Sequence, residues 1–502
     1  MSDVASALPF KEPGVLAVQP APSSPAVAVA AARPQDSPLL DVPGAQAPGL
    51  AAAHAPLVAP VSARERIQSI DVLRGVSLLG ILLININSFG LPYAAYTDPS
   101  TYGGAGGANF VVWLVNHVLF EGKMRAIFSM LFGASVIILT QRGERRSGGG
   151  VEVADIYYRR TLWLIVIGVL HAYLIWFGDI LFYYGVVGLA LFPLRKLSAR
   201  TLCIIGVVLL GIHSFQSVRS GYRAQHARQT VAEMEAVEQS GGRLTAAQQS
   251  QLRSARWQRD FYKPDAQAIA TEIETTRGGY LTNLRARAHV TASLQSEVFY
   301  RYLAWDIGGM LVLGMGLMKL GVFDASRSMR FYRIMAIAGY GIGVPLATVM
   351  ALRWAHSGFD LVAMFRYINL PMDIVRFSVA AGHVAVIMMI CKSGVLPRAR
   401  RALADVGRMA LSNYLLMSVL CTLLFYGYGL GMFGRLERAQ LLYVVVAVWS
   451  VNVIFSVVWL KHFRFGPLEW AWRSLTYGRM QPMRMEPAPT AAAVVATTPA
   501  AA

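Results

Sequence analysis

Apolar residues in this chain are gathered into long blocks, and charged residues are mostly held to the stretches between them. Blocks of such length predict helices that cross a bilayer, because backbone polar groups in hydrocarbon have to be satisfied within the segment itself. About ten spans are expected on this reading, over 72–91, 124–139, 162–177, 180–194, 201–213, 302–320, 334–352, 373–391, 409–426 and 441–460. The expected fold is an all-α polytopic membrane protein with a helical extramembrane insert.

Two stretches depart from the simple alternation of span and linker. The apolar block at 109–140 is interrupted by Glu121-Gly122-Lys123 and Arg125, which predicts a short or re-entrant helix leading into a span. Non-helical backbone at membrane depth survives only where protein or water covers it, so a cavity is expected beside the break. Between 216 and 296 the hydropathy collapses into helical-looking polar runs such as "QTVAEMEAVEQS" and "TAAQQSQLRSARWQRDFY". The domain organisation expected is an Ala/Pro-rich disordered cytoplasmic tail (1–63), a first bundle half (64–214), an extracytoplasmic helical insert (215–300), a second bundle half (301–479) and a disordered C-terminal tail (480–502).

Composition narrows the class. Of 502 residues, 55% are hydrophobic and only 15% charged, which is too little charge for an ordinary soluble chain, and the net charge is +18. The basic excess does not point to nucleic acid. It sits between apolar blocks, at Arg142, Arg145, Arg146, Arg159 and Arg160, at Arg195, Lys196 and Arg200, and at Arg398, Arg400 and Arg401, where it reads as a topology determinant. The basic entrance at Arg64 and Arg66 places the N-terminus in the cytoplasm, and an even number of crossings returns the C-terminus there. Cys203, Cys391 and Cys421 lie in apolar runs without paired spacing, which supports neither disulfides nor a zinc or redox motif; no metal is expected.

Ionisable groups inside the blocks are costly and therefore informative. Asp71 and Arg74 share a helical face at the start of the first span, with Asn85 and Asn87 near its other end. His117 and Glu121, four apart, suit a carboxylate-held general base, and Lys123 and Arg125 suit phosphate. His171 and Asp179 bracket a turn with Gly178 beside the aspartate; if the helix breaks there, the carboxylate can fold back onto the imidazole. Asp306, Arg376, His383 and Asn413 are candidates to line an interior, Arg376 and His383 forming one stripe with Asp373. For each group an ion pair, a helix cap or a wet interfacial helix is the plain structural alternative.

The segments "DVLRGVSLLGILLININSFG" (71–90), "EGKMRAIFSMLFG" (121–133), "RRTLWLIVIGVLHAYLIWFGDILFYYGVVGL" (159–189), "GRMALSNYLLMS" (407–418), "YGYGLGMFG" (426–434) and "FGPLEWAWRSLTYG" (465–478) closely resemble the YeiB-like family, also called domain of unknown function 418. The resemblance covers roughly 64–479. That family looks related to transmembrane acyltransferases, including heparan glucosaminide acetyltransferases and bacterial sugar O-acetyltransferases, with which the D-x-x-R start at Asp71 and Arg74 is shared. Where the sugar enzymes carry a histidine fourteen residues after that aspartate, this sequence has Asn85, as glucosaminide-type enzymes do, which shifts the base to His117 or His171.

The resemblance implies a bacterial inner-membrane enzyme that moves an acyl group, acetyl in the first instance, from cytosolic acyl-CoA to a hydroxyl or amine acceptor outside. The catalytic set is then His171, Asp179, His117 and Glu121, the donor-binding set Lys123, Arg125, Arg74, Asp71 and Asn85, and the acceptor-side set Asn87, Asp306, Arg376, His383 and Asn413. Expected partners are membrane lipids and a glycan, lipid-linked or small acceptor, with a homodimer left open and no nucleic acid. The competing functions are a small-solute or lipid transporter and a non-catalytic membrane scaffold.

Overall fold

A computed structural model describes residues 67–147, 150–262, 264–365 and 372–485. The tail expected at 1–63 lies outside them, as do Arg64, Arg66 and 486–502. The described chain is helical throughout, with one isolated bridge between Phe463 and Arg484 as its β-type pairing.

Helix α1 (Gln68–Gly90) is buried along most of its length. A second helix, α2 (Gly107–Val115), passes into a π-helical turn at Asn116–Phe120 and stops. The chain turns at Gly122, whose φ of +72° suits glycine, and α3 (Lys123–Ser147) leads away. Asn116 donates to the Leu83 carbonyl at 3.4 Å, and Met124 packs on Gly80. The break expected at Glu121-Gly122-Lys123 thus lies level with the middle of α1, covered by protein. Next come α4 (Gly150–Leu174), the short α5 (Leu181–Leu189) and α6 (Ala199–Gln239).

Helix α6 has 41 residues, the first part apolar and the rest polar, so the insert begins as its direct continuation. It goes on through α7 (Ala246–Tyr262), α8 (Ala266–Thr276) and α9 (Tyr280–Ser293) to a π-helical segment, Leu294–Leu303. The longer helices that follow are α10 (Ala304–Lys319), α11 (Met329–His356), α12 (Met372–Ser393), α13 (Pro397–Arg408), α14 (Ala410–Phe425), α15 (Leu441–His462) and α16 (Pro467–Tyr477).

The expectation of about ten spans is overturned. Among the described residues six helices are long and apolar enough to cross a membrane, or seven if α13 and α14, bent by 83°, count as one broken span. The excess came from short apolar runs. Helix α5 has nine residues and α10 sixteen, about 24 Å against a hydrocarbon core of about 30 Å. Every residue of α10 from Asp306 to Gly316 is buried, so it is a core helix of the bundle rather than a lipid-facing span. Helix α4 opens with Glu152, Asp155, Arg159 and Arg160, which leaves its apolar part short.

Close backbone approach holds the centre together. A Cβ at Gly75 would strike the Leu403 carbonyl, and one at Gly407 the Asp71 carbonyl, so α1 and α13 cross through paired glycines. Gly133 against Leu311 and Gly314 against Met130 do the same for α3 and α10. Association by small residues is what a membrane interior favours, since lipid supplies no hydrophobic drive between helices.

Candidate functional site

Helix α4 ends at Leu174, and the chain loops back through Gly178 before α5 begins. That loop returns Asp179 to His171, eight residues earlier: Asp179 Oδ1 lies 2.8 Å from His171 Nδ1, and Oδ2 accepts the Phe182 N–H at 2.7 Å. A Cβ on Gly168 would collide with the Phe182 backbone and meet Asp179 Oδ2 at 2.9 Å, so the glycine is what lets the loop close. The other imidazole nitrogen, Nε2, is 3.0 Å from the Ser418 hydroxyl on α14. Tyr414, one turn before Ser418, holds the Gly178 carbonyl through its hydroxyl at 3.1 Å and sets its ring 5.1 Å from the imidazole. His171, Asp179 and Ser418 are all buried.

A cavity of about 250 Å³ approaches this group from the other end of the bundle. Arg74, Arg142, Arg160, Arg408 and Arg473 surround it, against the carboxylates of Asp71 and Glu469. Deeper walls are apolar, from Phe128, Phe132, Leu164 and Leu181, and Tyr184 and Tyr414 also line it. Thr161 and Leu164 lie on the face of α4 that carries Gly168 and His171, as Leu411 and Tyr414 precede Ser418 on α14. Tyr414 thus lines the cavity and also sets its ring against the imidazole. From Arg160 to His171 the rise along α4 is about 16 Å.

Arg160 stacks on Trp472 at 3.9 Å and Arg473 on Phe465 at 4.6 Å. Glu469 Oε1 accepts the Leu411 and Ser412 N–H groups at 2.7 and 3.1 Å. The carboxylate caps the start of α14, a site where helix N–H groups lack partners.

A second polar group surrounds the α2–α3 break. Asp306 pairs with Arg125 at 2.8 Å and with Arg376 at 2.5 Å, and Arg376 also engages Asp373. Asp373 Oδ2 meets His213 Nδ1 at 3.0 Å and accepts the Ser214 hydroxyl. His383, two turns along α12 from Arg376, contacts the Leu119 carbonyl at 2.8 Å and the Tyr340 hydroxyl at 2.8 Å. The stripe read from the sequence does share one surface. His213, Asp306 and Asp373 offer ligand atoms within 4.8 Å of one another, a set that a metal ion could use. Two guanidinium groups already occupy those carboxylates, so the donor set fits a dication poorly.

The other candidates fall in separate places. Asp71 and Arg74 pair at 3.0 Å and line the cavity, Arg74 also donating to Ser135 at 3.1 Å. Lys123 and Arg125 lie away from it: Lys123 donates to the His117 carbonyl at 2.7 Å, and Arg125 belongs to the Asp306 group. His117 and Glu121 do not meet. The π-helical turn between them breaks the four-residue register, so the ring stacks on Trp113 and the carboxylate accepts the Tyr96 hydroxyl at 2.7 Å.

Asn87 accepts from Arg438 at 3.0 Å, while Arg438 also donates to the Ala95 carbonyl. Asn85 is half-buried, and Asn413 is sealed between the Val406 carbonyl and Ser456. Sequence reasoning missed Ser418, whose position one turn after Tyr414 was the available signal, and the convergence of Arg408 and Arg473 on Arg74 and Arg160.

The comparisons with known proteins agree on kinship. A family model described as protein of unknown function (DUF418) matches residues 317–479. The chain is 33% identical to the uncharacterized protein YeiB of Escherichia coli K12, over 82% of its own length and 96% of that relative. It is 27% identical to the uncharacterized protein YxaH of Bacillus subtilis 168, over 84% and 97% of the two chains. No solved structure gives a significant match. Similarity of this extent, carried by a bundle of membrane-spanning helices, makes the chain a multi-pass membrane protein that belongs to the YeiB-like, DUF418 family.

Proposed function

We propose that this protein is a membrane acyltransferase that takes an acyl group, acetyl in the simplest case, from cytosolic acyl-CoA and delivers it to a hydroxyl or amine acceptor at the opposite face. The observation that carries the reading is the arginine-rimmed cavity whose inner wall, Tyr414, lies against the His171–Asp179 pair. Arginine forks suit phosphate and pyrophosphate, and the apolar walls suit a slender uncharged arm that carries a thioester inward. The positive-inside rule puts this basic end in the cytoplasm, with both termini, and the insert outside. A bacterial inner membrane then supplies the donor from within and a glycan, lipid-linked or small acceptor from without.

Asp179 fixes the imidazole orientation and stabilises the imidazolium that forms when His171 takes a proton. The insert closes the far side: Arg287 on α9 donates to the Tyr173 carbonyl at 3.0 Å and to that of Ile175, and Thr291 donates to the Ala172 carbonyl. A dry, covered site protects a thioester from hydrolysis.

Membranes containing the protein, given acetyl-CoA labelled in the acetyl group, should move label into a lipid, glycan or small-molecule fraction. His171→Ala should lower that transfer by about a hundredfold or more while donor binding persists. Full transfer in His171→Ala would remove the base from the scheme. The intramembrane Asp306 group favours ion-coupled transport as a second reading, because such residues also mark permeation paths. Solute uptake by the wild type in vesicles that collapses when the ion gradient is removed, with no acetyl transfer, would decide for it.

A further inference from the structure

We infer that Ser418 is the nucleophile of the site, receiving the acyl group as a serine ester before the acceptor does. This rests on the acyltransferase reading and adds to it a residue and an order of events.

The hydrogen-bond directions assign the role. An ionised Asp179 can only accept, so its 2.8 Å contact requires a proton on His171 Nδ1. In the neutral ring Nε2 then carries the lone pair, and among the described residues the group on it is the Ser418 hydroxyl at 3.0 Å, which donates to that tautomer. The competing acceptor for that proton, the Tyr414 carbonyl one turn back, is more distant at 3.3 Å. Serine, histidine and aspartate thus stand in the order of an activated hydroxyl, with base and orienting group in place. For an acceptor hydroxyl to use Nε2 directly, Ser418 would have to leave it.

Position supports the same order. The three groups come from α14, α4 and the loop that leads into α5, and the nearby residues Tyr414, Leu164 and Leu181 line the cavity. A thioester advancing between those walls would meet Ser418 and His171 once the Tyr414 ring swung aside. Ser418 Oγ attacks the thioester carbonyl and passes its proton to His171 Nε2. The C–S bond breaks, and the departing thiolate takes that proton to leave as free CoA thiol. The acceptor hydroxyl or amine then attacks the ester and gives its proton to Nε2. The ester C–O bond breaks, and Ser418 Oγ recovers the proton.

The test uses the purified full-length protein in detergent with [14C]acetyl-CoA and no acceptor. Wild type should retain label covalently, located at Ser418 by peptide mass spectrometry and released by alkaline hydroxylamine. Ser418→Ala should carry none, with thermal unfolding close to wild type, and in membranes that supply the acceptor it should lose transfer at least a hundredfold. Ser418→Cys, which keeps a nucleophile, should hold the label as a thioester. Transfer at the wild-type rate by Ser418→Ala, while His171→Ala is inactive, would overturn the serine ester and leave the acyltransferase reading standing. Acetyl-CoA neither bound nor consumed by wild type would overturn both.

Discussion

Asp179 is the residue on which the behaviour of His171 turns. Asp179→Asn keeps the size of the side chain but removes the charge that opposes an imidazolium, and its amide can present a donor to Nδ1. Transfer should fall by about two to four orders of magnitude with little change in donor affinity, which initial-rate kinetics beside a binding titration would register. Asp306 sits in a different setting: Arg125 and Arg376 both rest on it. Asp306→Asn should destabilise the protein by about 1–3 kcal/mol, seen as earlier thermal unfolding in detergent, since it takes a carboxylate from two guanidinium groups and leaves Arg376 with Asp373. Combining it with Arg376→Met should restore part of that loss, and a double variant no more stable than the single would contradict the pairing.

At the scale of elements, helix crossings through glycine make the most local prediction. Gly75→Ala should weaken the α1–α13 crossing by about 1–3 kcal/mol, because its Cβ would overlap the Leu403 carbonyl. Gly211→Ala on α6, where nothing lies within 4 Å, should be neutral or gain up to about 1 kcal/mol from helix propensity. Equal melting temperatures for the two variants would contradict the crossing as described.

Elements also show what the sequence could and could not reveal. The broken block at Glu121-Gly122-Lys123 and the Asp373–Arg376–His383 stripe were legible because each depends on local spacing, whereas the return of Asp179 to His171 could be read only on condition of a break at Gly178. The span count was not, since hydropathy treats a nine-residue core helix such as α5 and a true span alike until burial by neighbours is known. His117 and Glu121 misled for a related reason: their spacing assumes α-helical register, and the chain is π-helical there. Ser418 was silent because a lone serine in an apolar helix usually just bonds back to its own turn.

For the whole molecule, the charged rim matters more than any single arginine. Arg142 and Arg160 read in the sequence as markers of sidedness, and only the fold gathers them with Arg408 and Arg473 around one cavity. Titration of the purified protein with acetyl-CoA, followed by calorimetry, tests the account most directly. Saturable binding is expected in wild type and in His171→Ala. It should weaken by at least about tenfold in Arg160→Gln and in Arg473→Gln, the loss of one charge-assisted phosphate contact. Absence of binding in wild type, or binding untouched by both arginine substitutions, would contradict the cavity as the donor site.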